Sequence, residues 1–78
     1  MTQGQQFMDA LIRRYQADKA EGVAILNLYV NQSVGVGEHP DVLTEMDKAI
    51  EKISSADGKI GLLSAMLKAV NEEPKDGQ

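Results

Sequence analysis

The stretch Ser33-Val34-Gly35-Val36-Gly37-Glu38-His39-Pro40-Asp41 lies almost at the middle of the 78-residue chain. Its two glycines supply the backbone freedom that a helix C-terminus and a tight reversal require. Pro40 suits the first turn of a following helix, because its φ is fixed and its missing N–H would be unpaired there anyway. The stretch therefore predicts the turn of a helical hairpin.

Helices are predicted on both sides of this turn. The first should span about residues 5–31 after a frayed lead-in, and the loop should cover residues 32–39. The second should span about residues 40–71, and residues 72–78 carry no apolar side chain and should form a disordered tail. The apolar residues of the first helix recur three and four positions apart, as on one helical face: Met8, Leu11, Ile12, Tyr15, Gly22, Ile25, Leu26 and Tyr29.

The second helix has a more regular apolar pattern, typical of coiled-coil packing. Its members alternate three and four positions apart: Met46, Ala49, Ile53, Ala56, Ile60, Leu63, Leu67 and Val70. Gly58 and Gly61 weaken this helix, since glycine costs about 1 kcal/mol relative to alanine inside a helix. A break near Gly58, giving three helices, is the alternative.

Folding the chain at the turn pairs residues whose numbers add up to about 71. Gly22 then faces Ala49, Tyr15 faces Ala56, and small residues oppose small or large ones. We expect Gly22 to mark a close approach of the two backbones or a bend of the first helix. The predicted fold is an all-α, antiparallel two-helix hairpin.

Several apolar residues fall beside the predicted contact face of the hairpin. They are Phe7, Val23, Leu28, Val30, Leu43, Ile50, Leu62 and Met66. Two helices alone bury too little surface to offset the conformational entropy of roughly 60 ordered residues. The chain has no cysteine, so disulfides cannot make up the difference. We therefore predict a homo-oligomeric helical bundle, a four-helix dimer or a higher cyclic assembly.

Composition restricts the partners and the location. The net charge is −4, and the acidic excess lies wholly after residue 37, which argues against nucleic acid because phosphate contacts need a basic stripe. No apolar run approaches the roughly 18 residues of a membrane span. The polar N-terminus is unlike a signal peptide, so a cytoplasmic location is expected.

Candidate chemistry is sparse, and we predict no catalytic residue, metal or cofactor. His39 with Glu38 and Asp41 could hold a divalent ion or transfer a proton. One histidine is weak support for such a site, and capping or packing at the turn is the simpler role.

Two residues of the first helix suggest a different kind of site. Tyr15 could stack on a small ligand at an oligomer interface, with Arg13 and the loop residues Gly35, Gly37, Glu38 and His39 nearby. Core packing of Tyr15 and a solubilising role for Arg13 are the simpler interpretations.

His39-Pro40-Asp41 between two helices resembles the signature of J-domain cochaperones, which stimulate the ATPase of a chaperone partner. The resemblance covers the tripeptide and its helix-loop-helix setting. In those domains a basic residue follows the tripeptide and the preceding helix ends in lysines, whereas here Val42 follows and Asn31-Gln32-Ser33 ends the helix.

A broader pattern resembles small uncharacterised proteins of tailed phages, including T4-like and marine ones. It comprises Tyr29, Asn31, the loop from Val34 to Pro40, and Glu45 to Lys48, and continues through Ile53, Ala56 and Lys59. The resemblance implies a phage accessory protein in the host cytoplasm and gives no residue a role. Gln32-Ser33 departs from the pattern, which has Asn-Pro there.

Two classes of function follow from these features. The first is a non-enzymatic helical oligomer that binds a host or phage protein. The second is an oligomer that binds or sequesters a small molecule, such as a nucleotide signal. A J-domain-like cochaperone is a third alternative.

Overall fold

The computed structural model describes residues 2–31 and 41–71, and within them the chain forms two helices. Helix α1 spans Gln3–Asn31 and helix α2 spans Val42–Asn71. The two helices pack against each other. Contacts of Gln5 with Asn71 and of Glu21 with Lys52 show that they run antiparallel. The all-α two-helix hairpin is confirmed. The predicted loop and tail lie outside the described residues.

The N-terminus of α1 is a capping box, which corrects the predicted frayed lead-in. The backbone N–H of Gln5 donates to Oγ1 of Thr2 over 3.1 Å, and the N–H of Thr2 donates to Oε1 of Gln5 over 2.8 Å. These reciprocal bonds satisfy two backbone donors that a helix start leaves unpaired. Helix α1 therefore begins two residues earlier than the apolar spacing indicated.

Helix α2 continues through Gly58 and Gly61 without interruption, so the three-helix alternative is wrong. Ala56, two residues before Gly58, is only 3% exposed against α1. Asp57, the residue after Ala56, forms an ion pair with Lys19 of α1 over 2.8 Å. Packing of Ala56 against α1 favours the helix here despite the low helix propensity of glycine.

Small residues occupy the closest part of the contact between the helices. The buried residues are Gly22, Ala49 and Ala56. The larger apolar residues of the predicted contact face are half-buried between the helices. Val70 is the exception: it was assigned to this face, but 47% of it is exposed. Val70 lies one residue before the last residue of α2.

Gly22 marks a close approach of the two backbones, as predicted. A Cβ atom built on Gly22 would lie 3.0 Å from the carbonyl oxygen of Ala49 and 2.8 Å from Cγ1 of Ile53. The predicted pairing of Gly22 with Ala49 is thus confirmed. Elsewhere the contacts lie up to five residues further along α2, because Lys19 pairs with Asp57 whereas the prediction pairs it with residue 52.

Candidate functional site

Large apolar side chains are exposed along the whole hairpin, whereas its buried hydrophobic residues are Ala49 and Ala56 alone among those described. The exposed fractions range from 38% for Val23 to 81% for Leu43. The exposed set is Phe7, Val23, Leu28, Val30, Leu43, Ile50, Leu62, Met66 and Val70. Scattered apolar residues are common on protein surfaces, but contiguous groups mark interaction sites. Whether these residues mark an interaction site therefore depends on whether they lie next to one another on the two helices.

Four of them form one group, which we name the aliphatic surface: Val23, Val30, Leu43 and Ile50. Val23 and Val30 are seven residues apart, as are Leu43 and Ile50, so each pair lies along one side of its helix. The ion pair of Lys19 with Asp57 shows that these two sides are adjacent. Lys19 lies one turn before Val23, and Asp57 lies one heptad after Ile50.

Four others form a second group, the terminal surface: Phe7, Leu62, Met66 and Val70. The ion pair of Glu21 with Lys52, at 3.2 Å, joins the opposite sides of the two helices. Phe7 lies two heptads before Glu21 and Met66 lies two heptads after Lys52, which places both on that side. The terminal surface thus lies on the other face of the hairpin and at its other end, where Gln5 Nε2 donates to Oδ1 of Asn71.

The two residues of α1 proposed as ligand-binding do not converge. Tyr15 is half-buried and faces α2, where Nζ of Lys59 lies 5.0 Å from the centroid of its ring. Arg13 is exposed and donates from Nε to Oδ2 of Asp9 over 2.9 Å. That hydrogen bond, with the charge of Asp9, raises the pKa of Arg13. The guanidinium is charged at neutral pH in any case, so the pair acts as a solvated i,i+4 contact on the helix.

The loop residues proposed for binding, Gly35, Gly37, Glu38 and His39, lie outside the described residues. Asp41 is described, and its carbonyl oxygen accepts from the backbone N–H of Glu45 in the first turn of α2. Over residues 2–31 and 41–71, no group of three or more His, Cys, Asp or Glu side chains is arranged to hold a metal ion.

Comparison with known proteins adds no relative. No family model, no curated protein and no solved structure matches the chain. Neither α1 nor α2 is both long and apolar enough to span a membrane.

The sequence identified the residues of the two surfaces, apart from Val70, but not their arrangement. To assign these residues to surfaces, one must know which side of α1 lies beside which side of α2. The ion pairs of Lys19 and Lys52 show this. The sequence does show that Val23 and Val30 are seven residues apart, as are Leu43 and Ile50, so that each pair lies on one side of its helix. The spacing alone does not say which side of α1 meets which side of α2.

Proposed function

We propose that this chain is a non-enzymatic helical hairpin that assembles with copies of itself and acts by binding another protein. The observation that carries the proposal is that, among the residues that the structure describes, nine large apolar side chains are exposed and the buried hydrophobic residues are two alanines. Apolar burial is the main favourable term in folding, so a hairpin with so little of it needs further coverage.

A four-helix bundle is the simplest assembly of two such hairpins. Each helix of a bundle contributes residues to two contact faces, one within its own hairpin and one with the other chain. The half-buried apolar residues between α1 and α2 form the first face. The exposed apolar residues provide the second.

Having two surfaces on opposite faces allows the assembly to bind a further protein. The terminal surface combines Phe7, Leu62 and Met66, which are unbranched at Cβ and adapt to differently shaped partners, methionine most of all. The resemblance to phage proteins suggests that the bound protein belongs to the host or to the phage, in the host cytoplasm.

Affinity capture from a bacterial host lysate tests the binding function. We expect the immobilised chain to capture at least one protein that a variant with Leu62→Gln and Met66→Gln captures at least tenfold less. Both residues are exposed in the hairpin and glutamine is a good helix former, so the variant should keep its fold. If both baits retain the same proteins in the same amounts, the terminal surface is not a binding site.

A further inference from the structure

Two positively charged side chains, Arg14 and Lys59, border the terminal surface. Arg14 lies one heptad after Phe7 on α1, and Lys59 lies one heptad before Met66 on α2, so each lies on the terminal side of its helix. Both are exposed. Nζ of Lys59 lies 5.0 Å from the centroid of the ring of Tyr15, the residue after Arg14. The two cations are therefore at the same level of the hairpin, next to its exposed apolar residues.

The next pair of residues in the same arrangement has opposite charges. Glu21 lies one heptad after Arg14, Lys52 lies one heptad before Lys59, and these two residues form an ion pair over 3.2 Å. Arg14 and Lys59 occupy the equivalent positions with like charges, which repel each other. The hairpin itself therefore gains nothing from this pair of cations, whereas an anion bound beside them would remove the repulsion.

The other cations of the described chain each have a favourable interaction within the hairpin. Lys68 lies in the last turn of α2, where a positive charge interacts favourably with the helix dipole. Arg14 and Lys59 form no ion pair with any residue that the structure describes, and Asp18, one turn after Arg14, is within ion-pair distance of neither. These three side chains together leave a net positive charge. The remaining cations form ion pairs: Arg13, Lys19, Lys48 and Lys52.

We infer that the protein bound by the terminal surface presents an amphipathic helix with acidic residues. Its apolar side chains cover Phe7, Leu62 and Met66, and its carboxylates contact Arg14 and Lys59. The inference rests on the proposed function and specifies the chemistry of the partner. A helix laid along two others uses anchors at heptad spacing, and the same spacing separates Arg14 from Phe7 and Lys59 from Met66.

The charges of the chain favour an acidic protein over an anionic membrane. Membranes attract clusters of about four to eight Lys and Arg residues, whereas this side of the hairpin offers two cations without an ion pair. The chain also carries a net charge of −4, which an extended anionic surface would repel. A helix can place its carboxylates at the two cations alone.

Two synthetic amphipathic peptides test the inference. Both carry leucines three and four residues apart, and they differ only in having glutamates or lysines beside the leucines. We expect the chain to bind the glutamate peptide about fivefold more tightly than the lysine peptide, or more, as measured by fluorescence anisotropy of labelled peptides. The net charge of −4 would by itself favour the lysine peptide, so this preference can arise only from local cations.

Matched double variants locate the preference on the chain. Arg14→Gln with Lys59→Gln should remove the preference for the glutamate peptide. Arg13→Gln with Lys68→Gln removes the same two charges elsewhere on the hairpin and should keep it. All four side chains are exposed and glutamine is a good helix former, so both variants should keep their helices.

Several results would overturn the inference. They are a lysine peptide bound as tightly as the glutamate peptide, equal effects of the two double variants, and no binding of either peptide. Binding to vesicles of phosphatidylcholine and phosphatidylserine in equal parts that Arg14→Gln with Lys59→Gln abolishes would overturn it in favour of a membrane. All of these results leave intact the capture of proteins that depends on Leu62 and Met66. Failure of that capture would instead refute the proposed function.

Discussion

We expect Ile53→Asp to remove most of the helical content of the chain and all of its self-association at micromolar concentration. Ile53 is half-buried between the helices, and its Cγ1 atom lies at their closest approach, beside Gly22. A carboxylate there faces Gly22 and loses much of its hydration, which costs several kcal/mol. Because the hairpin has little other apolar burial, no reserve of stability offsets that cost.

Far-UV circular dichroism and sedimentation measure the two effects of Ile53→Asp. Ser54→Asp is the matched control, because it introduces the same side chain one residue later, at an exposed position of α2. The control should keep the helicity and the mass of the unmodified chain. Full helicity in Ile53→Asp would contradict the contact between the helices described above.

The second large effect is expected for Gly22→Ala, which should destabilise the protein although alanine favours helices. The added methyl group would lie 2.8 Å from Cγ1 of Ile53 and 3.0 Å from the carbonyl oxygen of Ala49. The oxygen belongs to the backbone of α2 and cannot rotate away, so the helices must move apart. Overpacking of this kind costs about 1–3 kcal/mol, against about 1 kcal/mol gained in helix propensity.

Gly58→Ala and Gly61→Ala are the controls for this prediction. A Cβ atom at either position has no neighbour within 4 Å, so each variant should gain about 0.5–1 kcal/mol of unfolding free energy. Urea unfolding at one fixed protein concentration compares the three variants. The close approach would be refuted by a Gly22→Ala variant as stable as the two controls. A loss of stability in Gly58→Ala would indicate that another chain packs on that glycine.

The hairpin and its contact face follow from the sequence because they depend on local, periodic signals. The alternation from Met46 to Leu67 identifies the side of α2 that α1 covers, and Gly22 identifies the closest approach. The start of α1 needed a different signal, the Thr2-x-x-Gln5 capping box, which apolar spacing does not include. The unbroken α2 at Gly58 accords with the packing of Ala56 against α1, a tertiary contact that local propensity does not include.

The sequence alone could not predict how the exposed apolar residues are grouped into surfaces, for a geometric reason. Apolar spacing gives the face of each helix separately, whereas the grouping of Val23 with Ile50 depends on how the helices are placed side by side. The ion pairs of Lys19 with Asp57 and of Lys52 with Glu21 fix that placement. Such exposed pairs contribute little stability, and they are informative here as markers of geometry.

Sedimentation equilibrium at several micromolar concentrations decides whether another copy of the chain covers the exposed apolar residues of the hairpin. We expect a mass of at least twice the 8.5 kDa of one chain, falling towards the monomer on dilution together with the helicity. A fully helical species with the mass of a single chain at every concentration would refute self-association.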